Sequence, residues 1–287
     1  MRQWCMLTSS EDAVRARASE EGKIMDELKQ AYATLMEYLL LQSYPIAIKM
    51  LADGEPIPEK ARRPFRDMER HFSTCQGYNM VRRYGWTIAM TKEDMQCSLG
   101  VLVLGFDKPL PIYTQGNLCE GMYTATAEAG ARSEAAVDRH ETGRYRTILM
   151  APLHRADFIP EVVCLYGNSA QIMRLVQAAL WHRGGKLTSS FGGRLDCADL
   201  IVTPVKTGEC NVILPCSGDR IFAQVQDDEM AFSIPYSRLP EVLEGLRETH
   251  SAGHRYPTAS YLRYEAAFPE KYMALFPLWE AEGKKSK

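Results

Sequence analysis

Apolar residues recur at Ile24, Leu28, Ala31, Leu35 and Leu39, the spacing of an amphipathic helix that closes near Gln42 ahead of Tyr44-Pro45. Ile46 to Leu51 then reads as a strand, and Ala52 to Pro64 as a loop of proline, glycine and charge. The pattern predicts a helix over Ser73–Arg83 and a short strand over Trp86–Met90. Thr91, followed by Lys92-Glu93-Asp94, caps a further helix that runs through Cys97 towards Leu104. Arg146–Met150 and Val162–Tyr166 are strands, and the second leads through Gly167-Asn168 into the most regular helix of the chain. There Ile172, Leu175, Val176, Ala179 and Leu180 share one face, with Asn168 as N-cap and His182, Arg183 and Gly184 at the close. Glu229–Ile234 alternates as a strand, and Leu239, Val242, Leu243 and Leu246 form a last amphipathic helix with Ser237 as its cap.

Helices and strands alternate without regular βαβ spacing. The expected fold is therefore α+β, a mixed or antiparallel sheet with packed helices. Residues 1–42 form an N-terminal arm and helix, 43–249 a single domain, and 250–287 a C-terminal tail. The arm, Arg2 to Gly22, is polar and lacks apolar periodicity, which suits a loose or helical segment. The tail carries Tyr256, Tyr261, Tyr264, Phe268, Tyr272, Phe276 and Trp279 at intervals, so it is expected to pack on the domain or on a partner, a homo-oligomer included.

Composition narrows the function classes. The 287 residues are 46% apolar and 24% charged, with a net charge of −2, which gives no electrostatic footprint for nucleic acid or an anionic membrane. Arg62, Arg63 and Arg66 are diluted by Asp67 and Glu69. No apolar run approaches the ~20 residues that span a bilayer, and the charged N-terminus does not read as a secretory signal. The expected location is cytoplasmic, with the eight cysteines present as thiols. There is no phosphate-binding Gly-x-x-x-x-Gly-Lys, no Gly-x-Gly-x-x-Gly, no His-Glu-x-x-His, no Gly-x-Ser-x-Gly and no Cys-x-x-Cys.

The cysteines differ in setting. Cys164 lies inside a strand as a small hydrophobe, and Cys5 lies in the polar arm. Cys75, Cys97, Cys197 and Cys216 each stand beside small or polar residues at element boundaries, where free backbone N–H groups stabilise a thiolate.

Several of these segments carry a resemblance. Pro45-Ile46-Ala47-Ile48-Lys49, the Cys75 and Cys97 segments, Leu104-Gly105-Phe106, Ala151-Pro152-Leu153, Cys197-Ala198-Asp199, Cys216-Ser217-Gly218-Asp219-Arg220 and Ile234-Pro235-Tyr236 are similar to the uncharacterised ArCR family, domain of unknown function 169. The most distinctive stretch is Gly167-Asn168-Ser169-Ala170-Gln171-Ile172-Met173-Arg174. The resemblance runs from about Leu39 to Arg247 and implies recurring cysteines at positions 75, 97, 197 and 216. Where the family commonly has a Pro-Gly-Gly-like turn after the second of these, this chain has Ser98-Leu99-Gly100. No activity comes with the family.

Four thiols of this kind are expected to hold an iron–sulfur cluster, of the [4Fe–4S] type, for electron transfer or for activating a substrate at an open iron. Structural zinc and plain packing are the blander readings. A metal-free alternative is a small-molecule or cofactor pocket, with an anion site at the Gly167-Asn168 helix start drawing on Asn168, Gln171, Arg174 and Arg220, and with Arg194 near a cysteine in sequence. A third is a cysteine nucleophile at Cys97 or Cys216, which needs a histidine base; His71 is close only to Cys75 in sequence. A redox partner protein or a small-molecule substrate is the partner to expect.

Overall fold

Ile46, Ile48 and Met50 are buried on one side of their strand and Ala47 on the other, so β1 (Ile46–Leu51) is covered on both faces. In this computed structural model, which describes residues 10–258 and 268–285, β1 is central to a six-stranded sheet. The other strands are β2 (Ile88–Thr91), β3 (Thr147–Pro152), β4 (Val162–Asn168), β5 (Asn211–Ile213) and β6 (Glu229–Pro235). The order is β2-β3-β1-β4-β6-β5 and every pairing is antiparallel, with Ile48 opposite Met150 and Cys164 opposite Ser233.

The two faces carry different helices. On one, Leu28, Ala31, Leu35 and Leu39 of the long helix Ser10–Leu39 meet Ile172 and Leu175 of helix Ser169–Ala179 and Val242 and Leu246 of helix Leu239–Ser251, over Ala47, Val163, Leu165 and Phe232 of the sheet. On the other, Tyr78 and Val81 of helix Thr74–Tyr84 lie over Ile48, Met50, Met90 and Met150, joined by Val101, Val103, Ile201 and Val202. Burying both faces of the antiparallel sheet explains why strands such as Thr147–Pro152 and Val162–Asn168 read as near-continuous apolar runs rather than clean alternations. Among the described residues no helix is long and apolar enough to cross a membrane.

Several sequence expectations change. The helix expected to run from Thr91 through Cys97 is broken. A 3-10 turn covers Lys92–Asp94, the chain then extends to pair with Phe72, and a new helix spans Ser98–Val103. The cause is the bridge itself: Phe72 donates to Asp94 O at 2.8 Å and Gln96 donates to Phe72 O at 2.9 Å, engaging backbone groups that a continuous helix needs. Ser237 is not a cap; it lies inside a 3-10 turn, Tyr236–Arg238, and the following helix starts without a side-chain cap. The helix of the arm begins by Ser10, well before the first apolar repeat. In the tail, Phe268, Tyr272, Phe276 and Trp279 are exposed and contact one another, with ring centroids 6.1–6.5 Å apart. That described part does not bury its aromatics on this chain's own domain. Tyr256 does dock, its hydroxyl accepting from Asn168 Nδ2 at 2.9 Å. Tyr261, Tyr264 and Cys5 lie outside the described residues.

Candidate functional site: a cavity lined by four cysteines

Each of the four cysteines is delivered by the start of a helix on the same face of the sheet. Cys75 is in the first turn of Thr74–Tyr84, whose start is fixed by a capping box: Ser73 Oγ accepts from Gln76 N at 3.1 Å, and Gln76 Oε1 accepts from Ser73 N at 2.8 Å. Cys97 is the N-cap of Ser98–Val103, and its Sγ accepts from Gly100 N at 3.4 Å. Cys197 precedes the π-helical turn Ala198–Val202, and Cys216 is the N-cap of Ser217–Phe222. The close approach of the first two helices depends on glycine, because a Cβ at Gly100 would lie 2.5 Å from Thr74 Oγ1. The turn before Cys197 is strained: Leu195 sits at φ 57°, a left-handed conformation that costs about 1 kcal/mol. Strain and a π-turn together commonly mark places where a chain is bent to aim side chains.

The four thiols line one cavity of about 350 Å³, together with Asp196, Arg194, Tyr123 and Leu99. Its mouth is apolar, since Tyr123, Ile221 and Phe222 are all exposed there. Cys75 and Cys197 are buried, whereas Cys97 and Cys216 are part-exposed. A Cβ at Gly218 would stand 3.5 Å from both Cys75 Sγ and Cys216 Sγ, so these two sulfurs flank one glycine.

Asp196 lines the cavity, and Asp219 lies close by. Asp196 Oδ1 is 2.7 Å from Cys216 Sγ, and Asp219 Oδ2 accepts from the Tyr166 hydroxyl at 2.8 Å. Both aspartates are buried, and their other oxygens, Asp196 Oδ2 and Asp219 Oδ1, have no hydrogen-bond partner. Cys75, Asp196 and Asp219 present ligand atoms all within 4.8 Å of one another.

Charge in this pocket is crowded. A hydrogen bond from the Cys75 thiol, aided by Asp196, brings Cys216 down to about 5, despite its burial. The same bond, then burial and Asp219, drives Cys75 well above the thiol range. Burial raises Cys197, with Asp196, Cys97 and Cys216 adding to it. Burial and the neighbouring Asp219 raise Asp196 far above the carboxyl range. Distance alone allows the Cys216–Asp196 proton to sit on either atom. These opposite directions place it on Asp196, which donates to a Cys216 thiolate.

Among the described residues, the nearby arginines are paired elsewhere. Arg82 is bound to Glu229 at 2.7 Å and lies over the Tyr166 ring at 4.2 Å, while Arg194 is paired with Glu134 at 2.6 Å. Among the described residues no ion pair joins a lysine or arginine to Asp196 or Asp219. The cavity lining contains no histidine, and His71 instead stacks on Phe65 and bonds Glu93 O, so the base required by a cysteine–histidine nucleophile is missing at Cys97 and Cys216.

The anion site expected at Gly167-Asn168 is not assembled. Asn168 caps its helix as foreseen, in a reciprocal box with Gln171. Those bonds engage the Asn168 and Gln171 N–H groups, and the cleft of about 540 Å³ beside them is lined by Asp228 and Glu229 as well as Arg83. Arg174 faces away and stitches two helices, donating to Gln177 Oε1, Thr249 Oγ1 and Leu246 O. Arg220 donates to Gln226 O at 2.6 Å. The other cysteines are also elsewhere: Cys119 beside Glu134, Cys164 within β4 with its thiol pushed up to about 12 by burial, and Cys210 on the opposite face of the sheet.

Asp196, Asp219 and Tyr166 escape sequence reasoning. Asp219 stands three residues after an N-cap, where an acidic residue reads as ordinary helix-dipole complement. Asp196 gives a signal only as the neighbour of Cys197, and Tyr166 looks like a strand aromatic.

Comparison with known proteins finds the profile of the uncharacterised ArCR family, domain of unknown function 169, matching residues 34–245. The chain is also 27% identical over 236 residues to an uncharacterised protein of Methanocaldococcus jannaschii, a match covering 80% of this chain and 99% of that protein. No solved structure matches.

Proposed function

The chain belongs to the uncharacterised ArCR family, and from that premise we propose that it is an iron–sulfur protein whose cluster is held by Cys75, Cys97, Cys197 and Cys216. The observation that supports this best is a cavity lined by four thiols and Asp196, with Asp219 within reach of Cys75 and Asp196, in which neither half-satisfied carboxylate is ion-paired to a lysine or arginine among the described residues. Buried anions of this kind demand protons or a cation. A donor set dominated by sulfur selects a soft one.

The residues fit the group. A cavity of about 350 Å³ holds roughly a dozen waters at ~30 Å³ each, more room than a single ion requires. The sulfurs belong to four separate backbone segments, and the tightest cluster of ligand atoms contains only one of them. That spread suits a polynuclear centre better than one zinc ion. When bound, such a cluster stores an electron or, at an iron lacking a cysteine, acts as a Lewis acid.

The chain's own residues then have definite tasks. Cys216 supplies a thiolate already formed at neutral pH, and Cys75 and Cys197 give up protons on binding. Asp196 donates to sulfur and tunes it. Tyr166 holds Asp219 in place, and Arg82, over its ring, is itself fixed by Glu229.

A second reading follows from the Cys75, Asp196 and Asp219 group, which could take one divalent ion with mixed sulfur and oxygen donors. Purification without oxygen, followed by iron and acid-labile sulfide analysis, separates the two. The cluster reading expects both elements and a broad visible absorbance. Cys197→Ser and Cys216→Ser should each lose most of the iron, whereas Cys210→Ala, across the sheet, should keep it. Iron without sulfide, or iron indifferent to the cavity cysteines, sinks the cluster.

A further inference from the structure

Arg194 lines the same cavity, and the ligation just described gives it no task. Its side chain is only 5% exposed, and its guanidinium lies 5.1 Å from the centroid of the Tyr123 ring. Its ion-pair partner is Glu134, 2.6 Å from Nη1, but the same carboxylate also holds Arg139 at 2.5 Å. Two guanidinium groups thus share one carboxylate, leaving one positive charge in excess. The Glu134 contact is short in distance yet poorly aligned, so Nε, Nη1 and Nη2 of Arg194 all lack a directed hydrogen bond. A buried guanidinium carries five donors in a planar fork, and leaving them unused is costly.

From this we infer that Arg194 anchors the carboxylate of a small substrate whose apolar body lies against Tyr123, Leu99, Ile221 and Phe222. A carboxylate matches the fork in shape and the excess charge in size. A phosphate would bring a second negative charge into a cavity that already buries Asp196. The apolar part of the assignment comes from the mouth, where Ile221 is 70% and Phe222 54% exposed at the rim of a cavity rather than on a flat surface. That the other end of the substrate reaches the cluster rests on the iron–sulfur reading. The anion anchor does not.

The test is calorimetric titration of the full chain, purified without oxygen, with benzoate, its neutral isostere benzamide, and inorganic phosphate. Benzoate should bind at least tenfold more tightly than either. Arg194→Met should weaken benzoate by about thirtyfold or more, the usual result of removing one partner of a buried charge pair, while iron content stays unchanged. Ile221→Glu, at an exposed rim position that tolerates charge, should weaken benzoate more than benzamide, because both lose an apolar contact but only benzoate meets a new like charge, so the site stays testable even if Arg194→Met fails to fold. Equal binding of benzoate and benzamide, or benzoate binding indifferent to both substitutions, overturns the inference. Phosphate binding as tight as benzoate overturns the carboxylate assignment. Arg194-dependent benzoate binding by a protein without iron upholds the anchor and removes the cluster. Iron-loaded protein that ignores benzoate does the reverse.

Discussion

Cys216 and Asp196 carry opposite shifts for a shared reason, because the pocket tolerates one negative charge and resists the next. In metal-free protein the Cys216 thiolate, at about 5, is populated at pH 7, while Cys75 and Cys197 remain protonated. Alkylation at pH 7 followed by peptide mass mapping should therefore modify Cys216 well before either of those. Cys75→Ala removes the largest stabiliser of the thiolate, so it should move the midpoint of Cys216 alkylation upwards towards 9.0, the ordinary thiol value. The sign for stability follows. A depressed thiol pKa contributes stability that is complete above the ordinary value and disappears as pH falls through the folded one. Metal-free protein should lose that contribution between about pH 9 and 5, and Cys75→Ala should flatten the loss; denaturant midpoints across that range measure it. Of this site, the cysteines were legible in sequence because boundary thiols beside small residues stand out. Asp196 and Asp219 were not, since a carboxylate gives no sequence sign of being buried.

Elements bring the thiols together, and their spacing depends on contacts rather than propensity. Gly100→Ala pushes a Cβ to 2.5 Å from Thr74 Oγ1, part of a stiff, buried side chain, whereas Gly77→Ala meets the flexible ends of Met150 and Met90 at 2.7 and 2.9 Å. Gly100→Ala should cost about 1–3 kcal/mol in chemical denaturation and lower iron content. Gly77→Ala should cost less, because its methionines can move and alanine favours the helix. A reversed order would mean that the helix starts are not clamped as described. The same level shows where the pattern misleads. Asn168 reads as a cap in the sequence and Gln171, three residues on, completes its box, as Gln76 does for Ser73, which the pattern places only as a helix start. Thr91 has the same signature with Asp94, yet its helix stops after one turn because Phe72, a whole helix and strand earlier in the chain, pairs with the backbone on both sides of Met95. Such pairing has no local sequence signal. β5, only Asn211–Ile213, is too short to show a period.

At the scale of the molecule, the antiparallel sheet separates a structural face, built on the helices Ser10–Leu39, Ser169–Ala179 and Leu239–Ser251, from a face that carries the cavity. The family match, residues 34–245, covers the strands and the cavity and leaves out most of the long first helix and the tail. Ending the chain before Phe268 removes only residues exposed in the described part. It should change unfolding free energy by no more than about 0.5 kcal/mol and leave iron content intact, by thermal melt and elemental analysis. A large loss would show that the tail supports the domain after all.

The central claim is that sulfur from four distant segments surrounds one metal centre. X-ray absorption at the iron edge of protein purified without oxygen tests it most directly. The account predicts a nearest shell of sulfur and a short iron–iron vector, both lost in Cys216→Ser. A nearest shell of oxygen around a lone ion, or no iron at all, would contradict it.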